Sequence, residues 1–177
     1  MANYKRIFED NYSYFFTIVT HNRMPILIDN IDLLRESFRL SKSKYAYELE
    51  AVVILPDHFH MILTPKIARD YPKIISHIKR SFLYGLDKNL KKSAKTALSR
   101  SKSKREHSGI WQSRYYEHTI RDEKDFKIRF DYIHFNPVKH QLVSKVNDWS
   151  YSSFHKYVKM GWYDSAWGNF DENIEFE

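Results

Sequence analysis

The stretch from Tyr45 to Thr64 restricts the fold of this chain more than any other part of it. Tyr45–Leu55 ends in the apolar run AVVIL, Pro56-Asp57 supplies a tight turn, and His58–Thr64 (HFHMILT) resumes an apolar pattern. Two such runs separated by two turn residues predict an antiparallel hairpin. Strand side chains alternate, so His58 and His60 share one face while Phe59, Met61 and Leu63 share the other. The apolar face is expected to lie on helices, leaving two imidazoles side by side at a spacing that can share one metal ion.

The flanking segments supply the rest of an architecture. Tyr12–Thr20 (YSYFFTIVT) reads as a buried strand, being aromatic and β-branched. Asp29 to about Lys42 is an amphipathic helix with Ile31, Leu34 and Phe38 inward. Tyr71 to about Leu86 is a second, with Ile74, Ile75, Ile78 and Phe82 at helical spacing. Ile110–Ile120 contains a strand. Asp122 opens a third helix, with Asp125 as its capping partner, and Pro137 is expected to close it. The order strand, helix, strand, strand, helix, strand, helix predicts an α+β ferredoxin-like sandwich, an antiparallel sheet with helices.

Charge narrows the partner. The formal net charge is +7, yet all 29 lysines and arginines precede residue 161, while five of the 22 acids (Asp164, Asp171, Glu172, Glu175, Glu177) follow it. One domain over 1–160 with an acidic tail over 161–177 is the expected division. Eight basic residues fall between Lys88 and Glu106, and the segment 88–108 reads as a basic mobile loop or frayed helix outside the core. Such an excess attracts polyanions, of which nucleic acid is the commonest in a cytosol. The absence of cysteine excludes disulfides and thiolate metal sites. Apolar runs such as Tyr14–Val19 are far too short to span a bilayer, and a cytoplasmic protein without a membrane partner is expected.

The third helix carries the second chemical feature. At 100° per residue Phe126, Phe130 and Ile133 form a core stripe, and Arg129, Tyr132 and Asn136 form another on a flanking face. Tyr132 and Asn136, four apart, are surface neighbours. The Asn136 amide oxygen can serve as a neutral third ligand beside His58 and His60, or as a plain helix cap. A metal there would polarise a phosphodiester, and the Tyr132 phenol, helped by a nearby cation, would be a nucleophile. Mg²⁺ or Mn²⁺ suits a phosphate substrate better than Zn²⁺. Lys79, Arg80, Arg114, Arg121 and Arg129 are candidate phosphate contacts. Tyr115 and Tyr116 are rival nucleophiles, of which a strand exposes at most one.

At this point the sequence resembles a known family, the REP-associated tyrosine transposases among the single-tyrosine HUH transposases of bacterial insertion sequences. The segments that carry the resemblance are YFFTIVTHNR, LPDHFHMIL, IWQSRYYEHTIRDEKDF, YIHFNPVKHQLV and DWSYSSFHKY, in family order over about residues 12–157. The resemblance implies the HUH fold, metal binding by His58, His60 and Asn136, and Tyr132 as nucleophile. It further implies a 5′-phosphotyrosine intermediate, a free 3′-OH, and recognition of single-stranded or palindromic hairpin DNA. A nucleoid-associated location and either a monomer or a homodimer go with it. Asp57 departs from the pattern, relatives usually carrying Asn there; its carboxylate could tighten the metal or merely form the turn, and the turn role is expected. Two other functions fit the residues less fully: a hairpin-binding protein that does not cut, and an RNA-binding ferredoxin-like module. The latter would want aromatics where this strand carries histidines.

Overall fold

Alternation within the strands and helical periodicity between them build a sheet covered on both faces. The computed structural model describes Phe8, residues 10–96 and residues 108–169. The elements are β1 (Tyr14–Val19), α1 (Ile31–Lys44), β2 (Tyr47–Ile54), β3 (His58–Pro65), α2 (Tyr71–Gly85), α3 (Lys88–Thr96), β4 (Tyr116–Thr119), α4 (Glu123–Lys139) and α5 (Phe154–Lys159). The sheet order is β2-β3-β1-β4, every pair antiparallel. That is the ferredoxin-like arrangement, in which β1 and β2 run parallel on either side of β3.

One face of the sheet is apolar throughout. Phe16, Ile18, Phe59, Met61 and Leu63 pack there against Leu34 of α1 and Ile74, Ile75, Ile78 and Phe82 of α2. The one buried carboxylate within this layer, Glu117, accepts a hydrogen bond from Tyr71 Oη at 2.6 Å, so its burial is partnered. Lys79 and Arg80 lie on α2 and hence on this side. These two candidate phosphate contacts therefore lie across the sheet from the histidines: helical position is legible locally, but which face of a sheet the helix covers is not.

The other face is covered by α4. Phe15, Ala51, Val53 and Ile62 meet Phe130 and Ile133 there, with Phe126 at the margin. Asp122 caps this helix as expected, its Oδ1 accepting from the Asp125 amide at 2.8 Å. Pro137 does not close it. The helix runs on to Lys139, and the His140 amide donates to Asn136 O at 3.0 Å. An interior proline costs about 3 kcal/mol through its missing N–H and its ring's clash. Continuous burial from Ile133 to Val138 outweighs that cost, because the helix packs on the sheet with Ile133 and on a third cluster with Phe135 and Val138.

Two further expectations are revised. Lys88–Thr96 is a helix, begun by Asp87 Oδ1 accepting from the amides of Asn89 and Leu90, and its Leu90 and Ala94 pack on the core. Gly109 follows with φ +73°, and a Cβ there would stand 2.4 Å from Ala94 O, so only glycine fits this return. Residues 97–107, the rest of the basic segment, lie outside the described residues. The start of the acidic tail is also structural: Tyr163 and Trp167 pack with Phe154 and Val146, and the Val146 amide donates to Gly168 O. Its acids hid an aromatic content that belongs to the core. Residues 170–177 lie outside the described residues.

Candidate active site

The even-numbered face of β3 faces α4, and there the strand and the helix bring their polar groups together. His58 and His60 lie two residues apart with ring centroids 4.9 Å from each other, both almost wholly buried. The histidine face is therefore covered, where the sequence suggested two imidazoles left open. Each ring is held by its Nδ1. His58 Nδ1 is 2.6 Å from Asp57 Oδ1, and His60 Nδ1 is 2.9 Å from Thr17 Oγ1 on the neighbouring strand. With Nδ1–H donating in both, each Nε2 keeps its lone pair for a ligand.

Asp57 does more than form the turn. Its carboxylate also receives Arg23 Nη1 at 3.0 Å, and its backbone carbonyl accepts from the Thr20 amide and hydroxyl. Burial opposes its charge, yet the hydrogen bonds from His58 and Arg23 outweigh that and hold the carboxyl below the usual range. Arg23 reaches it from a left-handed pair, Asn22 at φ 52° and Arg23 at φ 51°. A chain Arg23–Asp57–His58 results, which orients the first imidazole from behind.

Tyr132 and Asn136 arrive one helical turn apart on α4. The Tyr132 ring stands edge-on to His60 at 5.3 Å and to Phe15 at 5.9 Å. Asn136 is fully buried. Its Oδ1 and His60 Nε2 are both buried and neither has a hydrogen-bond partner of acceptable geometry among the described residues. The amide is nevertheless close enough to bear on the protonation of the imidazole. Two lone pairs buried without a proton between them are costly unless something positive joins them. Burial first, then the neighbouring His58 and His140, push the His60 imidazole down to about 3, so it is neutral and able to coordinate at ordinary pH.

Two groups here escaped the sequence reading, both beyond Pro137. His140 places its ring 5.2 Å from that of His58, and Lys139 sets its Nζ 4.6 Å from the centre of the Tyr132 ring. Had the helix been extended through the proline, the stripe Arg129, Tyr132, Asn136 would have reached Lys139 by periodicity alone. Thr17 and Arg23 carry no comparable signal. Among the described residues no three His, Cys, Asp or Glu side chains converge as a metal site.

The remaining candidates sort by position. Arg129 lies beside the site, its guanidinium 5.6 Å from the Phe15 ring and its Nε 3.5 Å from Asp125 Oδ1. Asp125 also holds His118 at 2.7 Å and the Arg121 amide at 3.1 Å. Arg114 and Arg121 are exposed at the two ends of β4. Lys79 donates to Gln112 O at 2.8 Å on the opposite face. Of the rival tyrosines, Tyr115 packs on the apolar layer and Tyr116 is exposed at 53%. His134, two residues from Tyr132, points away into a separate network with Ser153 and Tyr163.

Comparison with known proteins decides the family. The sequence pattern described as "Transposase IS200 like" matches residues 9–136, which include His58, His60, Tyr132 and Asn136. A REP-associated tyrosine transposase of Escherichia coli is 34% identical over 169 residues, covering 94% of this chain and 91% of its own. A provisionally named REP-associated tyrosine transposase of Haemophilus influenzae is 40% identical over 170 residues, covering 95% and 94%. The chain belongs to the REP-associated tyrosine transposases. This transposase also superposes on a solved REP-associated tyrosine transposase bound to a REP hairpin, with TM-score 0.77 and 31% identity over 97% of this chain and 94% of the other. The HUH α+β fold is thereby shared. No helix among its described residues is long and apolar enough to cross a membrane.

Proposed function

We propose that this transposase binds single-stranded or hairpin DNA of palindromic repeats and cuts it through Tyr132, with strand rejoining as the reverse exchange. The observation that carries the reading is the convergence of a phenol, a buried amide and two buried imidazoles from distant parts of the chain onto one place. Support for the substrate class comes from the relative that shares the fold and holds a REP hairpin. The basic side chains Arg23, Arg129 and Lys139 at the rim favour a polyanion.

In the reaction, the Tyr132 Oη–P bond forms as the P–O3′ bond breaks. The phenol gives up its proton and the departing 3′ oxygen gains one, leaving a 5′-phosphotyrosine and a free 3′-OH. His58, His60 and Asn136 would hold Mg²⁺ or Mn²⁺, a fit supported by the two buried, unpartnered lone pairs. Such an ion supplies charge stabilisation at the phosphate oxygens. A donor set without carboxylate or thiolate binds an ion weakly on its own, which suits a site completed by the substrate. The protein's own part is positional: Asp57 and Thr17 fix the two imidazoles, and Phe15 and His60 fix the phenol ring.

The test mixes the protein with labelled hairpin oligonucleotides and Mn²⁺ and runs a denaturing gel. A protein–DNA adduct is expected, absent in Tyr132→Phe although hairpin binding persists. An adduct that survives in Tyr132→Phe would move the nucleophile elsewhere, the exposed Tyr116 first.

A further inference from the structure

Beyond Pro137, α4 continues for two residues, and the second of them, Lys139, lies seven positions after Tyr132. Seven residues are almost two full turns, so both side chains fall on one stripe with Asn136 between them. The Lys139 ammonium sits 4.6 Å from the centre of the Tyr132 ring. Lys139 itself is exposed and has no ion-pair partner within salt-bridge distance among the described residues, whereas Arg129 on the same stripe is engaged by Asp125. A cation over the phenol ring that faces solvent is open to a phosphate brought to that ring.

We propose that Lys139 binds a non-bridging oxygen of the phosphate that Tyr132 attacks, and holds the same phosphate once it is joined to the phenol. This rests on the cutting reading above and adds to it a residue outside the histidine–amide–tyrosine set. The argument is one of reach and charge. The distance from ring centre to phenol oxygen is shorter than the ring–ammonium contact, so a phosphate joined to that oxygen lies within range of Nζ after a rotamer change. The three polar groups that converge beside it, His58, His60 and Asn136, bring no negative charge, and the Asp57 carboxylate behind His58 is already paired with Arg23. Among the described residues, then, no carboxylate lies within salt-bridge distance of the ammonium, and a phosphate would supply the counter-charge. As Tyr132 Oη–P forms and P–O3′ breaks, charge on the non-bridging oxygens stays beside the ammonium; the phenol proton leaves and the 3′ oxygen is protonated as before. The cation–π contact keeps the lysine beside the ring in the absence of DNA.

The test measures the single-turnover rate of adduct formation at saturating hairpin with Mn²⁺, and hairpin affinity separately in a Tyr132→Phe background. Lys139→Met keeps the apolar stem and loses the charge. It is expected to slow adduct formation about 100-fold, as removal of one transition-state charge partner does. Hairpin affinity should change by less than about 3-fold, because one phosphate contact is a small share of the total. Lys139→Arg, which keeps the charge, should restore most of the rate. Adduct formation by Lys139→Met at the wild-type rate would overturn the proposal. So would an equal loss in Lys139→Met and Lys139→Arg, which would make the role one of shape. If the unaltered protein forms no adduct at all, the cutting reading fails and this inference falls with it.

Discussion

The two sides of β3 belong to different kinds of protein. Phe59, Met61 and Leu63 enter a layer of aliphatic and aromatic side chains between the sheet and α1 and α2. His58 and His60, one residue out of step, enter a layer where the groups opposite are Tyr132, Asn136 and His140. The first side obtains stability by removing apolar surface from water. The second buries two imidazoles and an amide, and leaves His60 Nε2 and Asn136 Oδ1 without a partner among the described residues, which costs free energy. Stability and chemistry are thus separated by the pleat of a single strand, and a substitution on one side should leave the other nearly untouched.

The sharpest way to break this comparison is a pair of truncations. Phe59→Ala should cost about 3–5 kcal/mol of unfolding free energy. His60→Ala should cost much less, since it removes a buried polar group along with its packing, while abolishing Mn²⁺-dependent adduct formation. Chemical denaturation and the adduct gel measure the two effects, and equal destabilisation would erase the distinction.

Acid should attack the α4 side next. Burial pushes both His60 and His134 down to about 3, whereas an unfolded histidine titrates near 6.5. Between those values the unfolded chain holds a proton that the folded chain lacks, so stability is complete above about pH 6.5 and declines as pH falls toward 3. The slope is about 1.4 kcal/mol per pH unit for each histidine. Denaturation midpoints collected from pH 7 to pH 4 should show it, and His134→Gln should lessen it. A midpoint that stays flat across that range would mean both rings are solvated.

A smaller effect is expected behind His58. Asp57→Asn keeps the turn and a hydrogen bond to the ring while removing the charge, and should weaken Mn²⁺ binding about 10-fold by calorimetry. Unchanged affinity would return Asp57 to a turn residue. Smallest of all, Tyr163→Phe removes the 2.5 Å hydrogen bond to Asp131 and the contact with His134, and should cost about 1 kcal/mol with catalysis intact. A large loss of adduct formation in that variant would tie the segment after Met160 to the site itself.

Some of this organisation is written in local spacing. A two-residue repeat puts His58 and His60 on one side of a strand wherever that strand lies, and a four-residue step makes Tyr132 and Asn136 neighbours on any helix. The order of strands and helices, and with it the ferredoxin-like sheet, follows from the same periodicities. Other features depend on what a segment meets. α4 passes through Pro137 because both of its sides are buried, and that alone brings Lys139 and His140 to the site. Lys79 and Arg80 fall behind the sheet because α2 covers the far face. Asp57 turns from a hinge into a support for His58 because Arg23 arrives from the end of β1 to hold it. Periodicity is set within a few residues and survives in the sequence; partnership is set by residues tens of positions away, and only the packed molecule chooses among them.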